Sequence, residues 1–140
     1  MGSRSTGRKL AMQTLYQADI QKTDIESIIN NFVKPAKYIE STKSWALELV
    51  RSVWEYLSEL DALIEKFAIG WDLNRINAID RNILRIAFYE LNHTETDVSV
   101  VLNEAIEIAK KYSCEESPKF INGILGKYVE KECLLESSKS

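Results

Sequence analysis

The sequence predicts an all-α fold, and three observations carry that expectation. Apolar residues recur at spacings of three and four along most of the 140-residue chain. No stretch alternates strictly, as a half-buried strand would, and the β-branched residues sit at helical spacing. Five glycines and two prolines leave room for few turns, so the elements should be few and long. A chain of this length makes one domain with a real core. A flexible basic arm is expected over 1–7, a single helical domain over 8–134 and a disordered tail over 135–140.

The first helix is predicted from Arg8 to Asp19, with Ala11, Thr14, Leu15 and Ala18 facing inward. Lys9, Met12 and Tyr16 share a flank, with Gln13 further round. That flank reads either as a lysine stem snorkelling over an amphipathic ring or as a contact surface for RNA or a protein partner. Thr23-Asp24-Ile25-Glu26 reads as a capping box. The helix it opens buries Ile25, Ile28, Ile29, Phe32 and Val33 and stops before Pro35. From Ser41 to Ala68, the residues Trp45, Leu49, Val53, Tyr56, Leu60, Leu63 and Phe67 repeat with no Gly or Pro between them. This predicts one helix of roughly 40 Å. Ala46, Val50, Trp54, Leu57 and Ile64 widen its stripe beyond a coiled-coil seam, so it should pack within one globule.

The chain is organised around Trp71–Leu91, WDLNRINAIDRNILRIAFYEL. Gly70 and Asp72 mark a break and one short turn before it. Ile76, Ile79, Ile83, Leu84, Ala87, Phe88 and Leu91 then cover a wide arc, which marks a central helix with neighbours on more than one side. Asp80 lies on that arc, where an unpaired carboxylate is costly. Asn77 as cap would place Asp80 in the first turn, near unpaired N–H groups. Asp80 then either caps alone or also faces an interface.

After the polar NHTETD loop, Asp97 or Thr96 caps a helix running to Tyr112, with Val98, Val101, Leu102, Ala105, Ile106 and Ala109 as its stripe. The last helix is predicted to start at Ser117-Pro118, a cap followed by a first-turn proline. Its stripe is Ile121, Ile124, Leu125, Tyr128 and Val129. Gly123 and Gly126 in its interior each cost about 1 kcal/mol relative to alanine. Either close helix packing or a ligand approaching over that face would explain them. Phe120 lies off the stripe, with Lys119, Lys127 and Gly123 nearby. An off-stripe aromatic flanked by lysines suits single-stranded RNA, whose bases stack on rings while lysines meet phosphates. An edge-of-core residue has the same pattern. Arg4, Arg8 and Lys9 form a second basic element.

The composition excludes more than it assigns. The formal charge of −3 gives no whole-protein attraction to nucleic acid, so any such site must be a local patch. Cys114 and Cys133 form no CxxC pair and read as free thiols in a reducing cytoplasm. His93 is the lone histidine, which removes histidine metal clusters and triads. No glycine-rich phosphate loop and no nucleophile with a base partner occur, so no enzyme, metal or cofactor is expected. No apolar run is long enough to span a membrane.

RKLAMQTLYQAD (8–19), WDLNRINAIDRNILRIAFYEL (71–91) and NEAIEIAKKYSCEESPKFINGIL (103–125) together resemble the NusB family of bacterial transcription antitermination factors. The resemblance covers about residues 8 to 130, and Ser117, Lys119, Phe120, Asn122 and Gly123 are its most specific part. It implies an all-helical fold of two three-helix bundles sharing a core. It implies a non-enzymatic, RNA-binding cytoplasmic factor that pairs with NusE, a small-subunit ribosomal protein. The pair would bind boxA-type single-stranded RNA of ribosomal RNA transcripts. With NusA, NusG and RNA polymerase it would aid terminator read-through and ribosome assembly. RNA contacts carry over to Arg4, Arg8, Lys9 and Gln13, and to Glu116, Lys119, Phe120 and Asn122. The NusE surface carries over to Tyr16, Asn77, Asp80 and Arg81. Some members form homodimers that cover the RNA face.

Three departures stand out. The arm has arginine only at 4 and 8, which implies weaker and less salt-sensitive RNA binding without NusE. Gly126 stands where an acidic residue is usual, and the loop before Val98 is short and lacks a proline. A helical protein-interaction module with no RNA role is the reading from a different class, favoured by the sparse arm and the negative charge.

Overall fold

The computed structural model describes residues 3–132 and is all-α, with no strand among them. Residues 133–140, which include Cys133 and the expected tail, lie outside the described residues, as do Met1 and Gly2. The chain divides into two units, Met1–Tyr56 and Leu57–Ser140.

In the first unit, α1 (Ser3–Gln21) packs along α3 (Glu40–Glu55). The expected flexible arm is therefore helical from Ser3 onward. The cause is local packing: Arg4 and Arg8 lie over the Trp45 ring, and Gly7 lets α1 approach it closely. A β-carbon at Gly7 would meet Trp45 at 2.6 Å, so no larger residue fits without movement. Lys22 ends the helix in the left-handed region, φ 53°, with its N–H on the Ala18 carbonyl. Leu10, Ala11, Leu15 and Ala18 are buried, and so is Met12, which the sequence placed on the flank.

Between these helices, α2 (Ile25–Ile28) runs on as a π turn, Ile29–Val33. Its cap is Asp24, whose carboxylate accepts from the Ser27 N–H at 2.9 Å. The expected Thr23–Glu26 capping box does not form. Glu26 instead accepts two bonds from Arg51 of α3, each 3.0 Å, which the local pattern had no means of revealing. Ile25, Ile28, Ile29 and Val33 are buried as expected, and Phe32 is only half-buried.

The single long helix expected over 41–68 is two helices, α3 and α4 (Leu57–Phe67). Tyr56 leaves helical geometry, at φ −97° and ψ 18°, where the chain passes from one unit to the next. No Gly or Pro marks the break. The apolar repeat continues in register through it, so periodicity alone reads as one piece.

In the second unit, α5 (Ala78–His93) touches α4, α6 (Val98–Tyr112) and α7 (Ser117–Lys131), as a central helix should. Phe67, Phe88 and Tyr128 form its aromatic centre, with T-shaped pairs at 5.2 and 5.0 Å. Tyr128 donates to Asn92 at 2.6 Å. Burial pushes the Tyr128 phenol up, the Asn92 bond lowers it, and the nearby carboxylates of Glu132 and Glu59 raise it. Arg85 is buried on α5 and bonds Asp61 of α4 at 2.7 and 3.0 Å, with a further bond to Asn82. No buried side-chain nitrogen or oxygen among the described residues lacks a partner.

Gly123 and Gly126 are not packing glycines. A β-carbon at either position would meet nothing within 4 Å. Close approach of another part of this chain therefore does not explain them.

Candidate nucleic-acid interface

The expected site residues fall in both units. In the first, α1 carries Arg4, Arg8, Lys9, Gln13 and Tyr16. Arg4 is exposed, with its guanidinium 5.7 Å from the Trp45 ring centre. Lys9 is half-buried, its ammonium 5.5 Å from the Tyr38 ring. Both contacts hold a cation on an aromatic face while leaving it reachable. Gln13 and Tyr16 are half-buried. Arg8 departs from expectation: it is 3% exposed, with its guanidinium 5.1 Å from the Trp45 ring centre. In this conformation it packs the helix pair and does not present its charge outward.

In the second unit the structure brings Asn77, Asp80, Glu116 and Phe120 to one cleft. The sequence had divided these four between an RNA set and a partner set. The cleft has a volume of about 260 Å³ and is also lined by Trp71, Arg75, Ile76, Cys114 and Ser117. Its floor is built from the starts of two helices. Asn77 caps α5, accepting from the Asp80 N–H at 2.9 Å, as the sequence suggested. Asp80 is buried, and its carboxylate accepts from Ser113 at 2.6 Å, Ser117 at 2.8 Å and Asn77 at 3.1 Å. Three donors compensate the desolvation of its charge. Ser117 therefore does not cap α7; Glu116 occupies that position, and Pro118 lies in the first turn. Asp80 ties the two helix starts together instead of facing outward.

Arg81 serves the same corner. Its guanidinium donates to the carbonyls of Leu73 at 3.1 Å and Ile76 at 2.8 Å. This holds the 3₁₀ turn Leu73–Arg75 against the start of α5. The turn follows Gly70, whose φ of +84° favours glycine, and it positions Trp71. Trp71 stands edge-on to Phe120, ring centres 5.4 Å apart, and is 49% exposed. Phe120 is thus half-buried in an aromatic pair, not a bare exposed ring. Lys119 and Asn122 are exposed beside it and do not line the cleft.

Sequence reasoning did not place Trp71 and Arg75 at this cleft. The Gly70 break was the available signal, because a large aromatic just after a break and before a capped helix has no stripe to join. Among the described residues no group of three metal-ligating side chains gathers, and no helix is long and apolar enough to cross a membrane.

A profile of the NusB family matches residues 5–130. The chain is 45% identical over 131 residues to the transcription antitermination protein NusB of Acetivibrio thermocellus, covering 93% of this chain and 90% of that one. The protein of the same name from a Thermoanaerobacter species is 40% identical over 144 residues, covering 99% and 98%. NusB of T. maritima superposes with a TM-score of 0.83 at 36% identity, over 95% of this chain and 96% of that one. The NusB in a crystal structure of the antitermination factors NusB and NusE with dsRNA superposes at 0.82 with 26% identity, over 94% and 98%.

Proposed function

The chain belongs to the NusB family of transcription antitermination proteins, and from that premise we propose that it binds boxA-type single-stranded RNA of ribosomal RNA transcripts together with NusE. It is an RNA-binding factor and not an enzyme. The observation that carries the proposal is the ring of Phe120 at the start of α7. Exposed Lys119 and Asn122 flank it, and the face over Gly123 and Gly126 is open. A base stacks on such a ring, a lysine meets the neighbouring phosphate, and a glycine face lets the backbone come close. Arg4, Lys9 and Gln13 of α1 supply further backbone contacts, and Glu116 a polar contact at the base. The related NusB solved with NusE and dsRNA supports NusE and RNA as the partner classes, and the single-stranded boxA preference is the part the proposal adds.

NusE contacts are assigned to Tyr16 in the first unit and to Asn77 and Arg81 in the second, where Asp80 acts behind them by fixing the α5 start. Within the cytoplasm the pair joins RNA polymerase, NusA and NusG, aiding terminator read-through and ribosome assembly. No cofactor takes part, and a homodimer would compete for the RNA face.

The test is binding of a fluorescent boxA-type single strand against a scrambled strand and a duplex, with and without NusE, at two salt concentrations. Selective single-strand binding, strengthened by NusE and weakened about tenfold or more by Phe120→Ala, is the expected result. Absence of selective binding even with NusE would sink the proposal and leave a helical protein-interaction module.

A further inference from the structure

The cleft beside α7 holds Trp71 and Arg75, which the proposed RNA contacts leave without a role, and Glu116, to which they give only an unspecified polar contact. Trp71 keeps about half its surface in solvent although its ring is large and apolar. It meets Phe120 at 65° between ring planes, so the two rings form adjoining walls and not a closed stack. Arg75 and Glu116 line the same cleft, both are exposed, and neither forms an ion pair with any described residue. Of the other polar linings, Asp80 is committed to Ser113, Ser117 and Asn77, and Asn77 to Asp80, while Cys114 offers only an uncharged, weakly bonding thiol. A ligand therefore meets two aromatic walls, one guanidinium and one carboxylate. The volume of about 260 Å³ lies below the range of ~300–1,000 Å³ for drug-sized ligands and suits a single base.

We propose that this cleft takes one unstacked guanine of the bound RNA strand, with Trp71 and Phe120 as its walls. Glu116 accepts from guanine N1–H and N2–H₂, and Arg75 donates to O6 and N7. Guanine is the base that matches both charges. It carries two adjacent donors on one edge, which a carboxylate accepts together, and two adjacent acceptors on another, which a guanidinium fills bidentately. Adenine and cytosine offer a carboxylate one amino group, and uracil a single N–H flanked by two carbonyls that repel it. The walls are preorganised, because Arg81 fixes the turn behind Trp71 and Asp80 fixes the start of α7. A base held in a duplex cannot enter, so the cleft selects single strands. This rests on the RNA binding proposed above and adds the base it reads, the roles of Trp71 and Arg75, and the atoms that Glu116 meets.

The test uses the full chain with NusE and a boxA-type RNA whose guanosines are replaced one at a time by inosine, which lacks N2–H₂, or by 7-deazaguanosine, which lacks N7. At one position, inosine should weaken wild-type binding about tenfold. Glu116→Gln should abolish that difference, and Arg75→Met should abolish the 7-deazaguanosine penalty. Trp71→Ala should weaken the unmodified strand about tenfold, with Trp71→Phe restoring most of it. If the RNA binds selectively but Glu116→Gln keeps the inosine penalty, the guanine pocket is wrong and the RNA function stands. Loss of NusE binding in Trp71→Ala, with RNA discrimination intact, would give the cleft to the protein partner and overturn the proposal. If no strand binds selectively, the RNA function fails and this inference with it.

Discussion

At the scale of single residues, two glycines on helices have opposite roles. Gly7 faces Trp45 with no space for a β-carbon, whereas Gly123 faces open solvent. Gly7→Ala should therefore destabilise by about 1–3 kcal/mol through overpacking, and Gly123→Ala should stabilise by up to about 1 kcal/mol. Thermal denaturation of the two variants checks both signs. Asp80 is the other decisive residue. Asp80→Ala leaves Ser113, Ser117 and Asn77 without their acceptor and should cost about 3 kcal/mol. The cap half of this site was legible, because Asn77 and Asp80 are three residues apart. The serines were not, since they lie 33 and 37 residues from Asp80. Trp71 was hidden for the same reason: its partner Phe120 belongs to another helix.

At the scale of elements, the helices were legible wherever a one-sided apolar stripe met a local start or stop. The 3₁₀ turn, α5, α6 and α7 fall where Gly70, Asn77, Asp97 and Pro118 placed them. The α3–α4 break at Tyr56 was not legible, because it interrupts the backbone without interrupting the repeat. Nor did the pattern disclose that α5 buries Arg85 on its core face, paired with Asp61 of α4. Arg85→Met should cost about 3 kcal/mol by leaving Asp61 without its partner, measured by urea unfolding. In the same unit, Tyr128 locks α7 to α5 through Asn92. Its phenol is raised in the folded state, so the unfolded chain ionises first. That contribution is fully present below the ordinary tyrosine value and is lost as pH rises through the raised folded one. Tyr128→Phe should flatten this alkaline loss in stability-versus-pH curves. Glu26 titrates with the other sign. The Arg51 hydrogen bonds hold its carboxyl low, so the α2–α3 link weakens only as pH falls through that lowered value.

At the scale of the whole molecule, the formal charge of −3 means that RNA affinity must come from local cations. Arg8 is buried, which leaves Arg4, Lys9, Lys119 and Lys127 reachable for phosphate, Arg75 being assigned to a base. Three or four phosphate contacts predict a slope of log affinity against log salt of about −2 to −3. A slope well beyond this would mean that Arg8 is released from Trp45 on binding. Two helical bundles were implied by the family resemblance, but the place of the division at Tyr56 was not legible, because composition does not change across it. The central claim is that RNA meets this chain at the start of α7 and at the Trp71–Arg75 turn. Hydrogen exchange of the chain with NusE, compared with and without boxA-type RNA, tests it most directly. The account predicts RNA-dependent protection over 71–76 and 116–123. Selective RNA binding with no change in either stretch would contradict it.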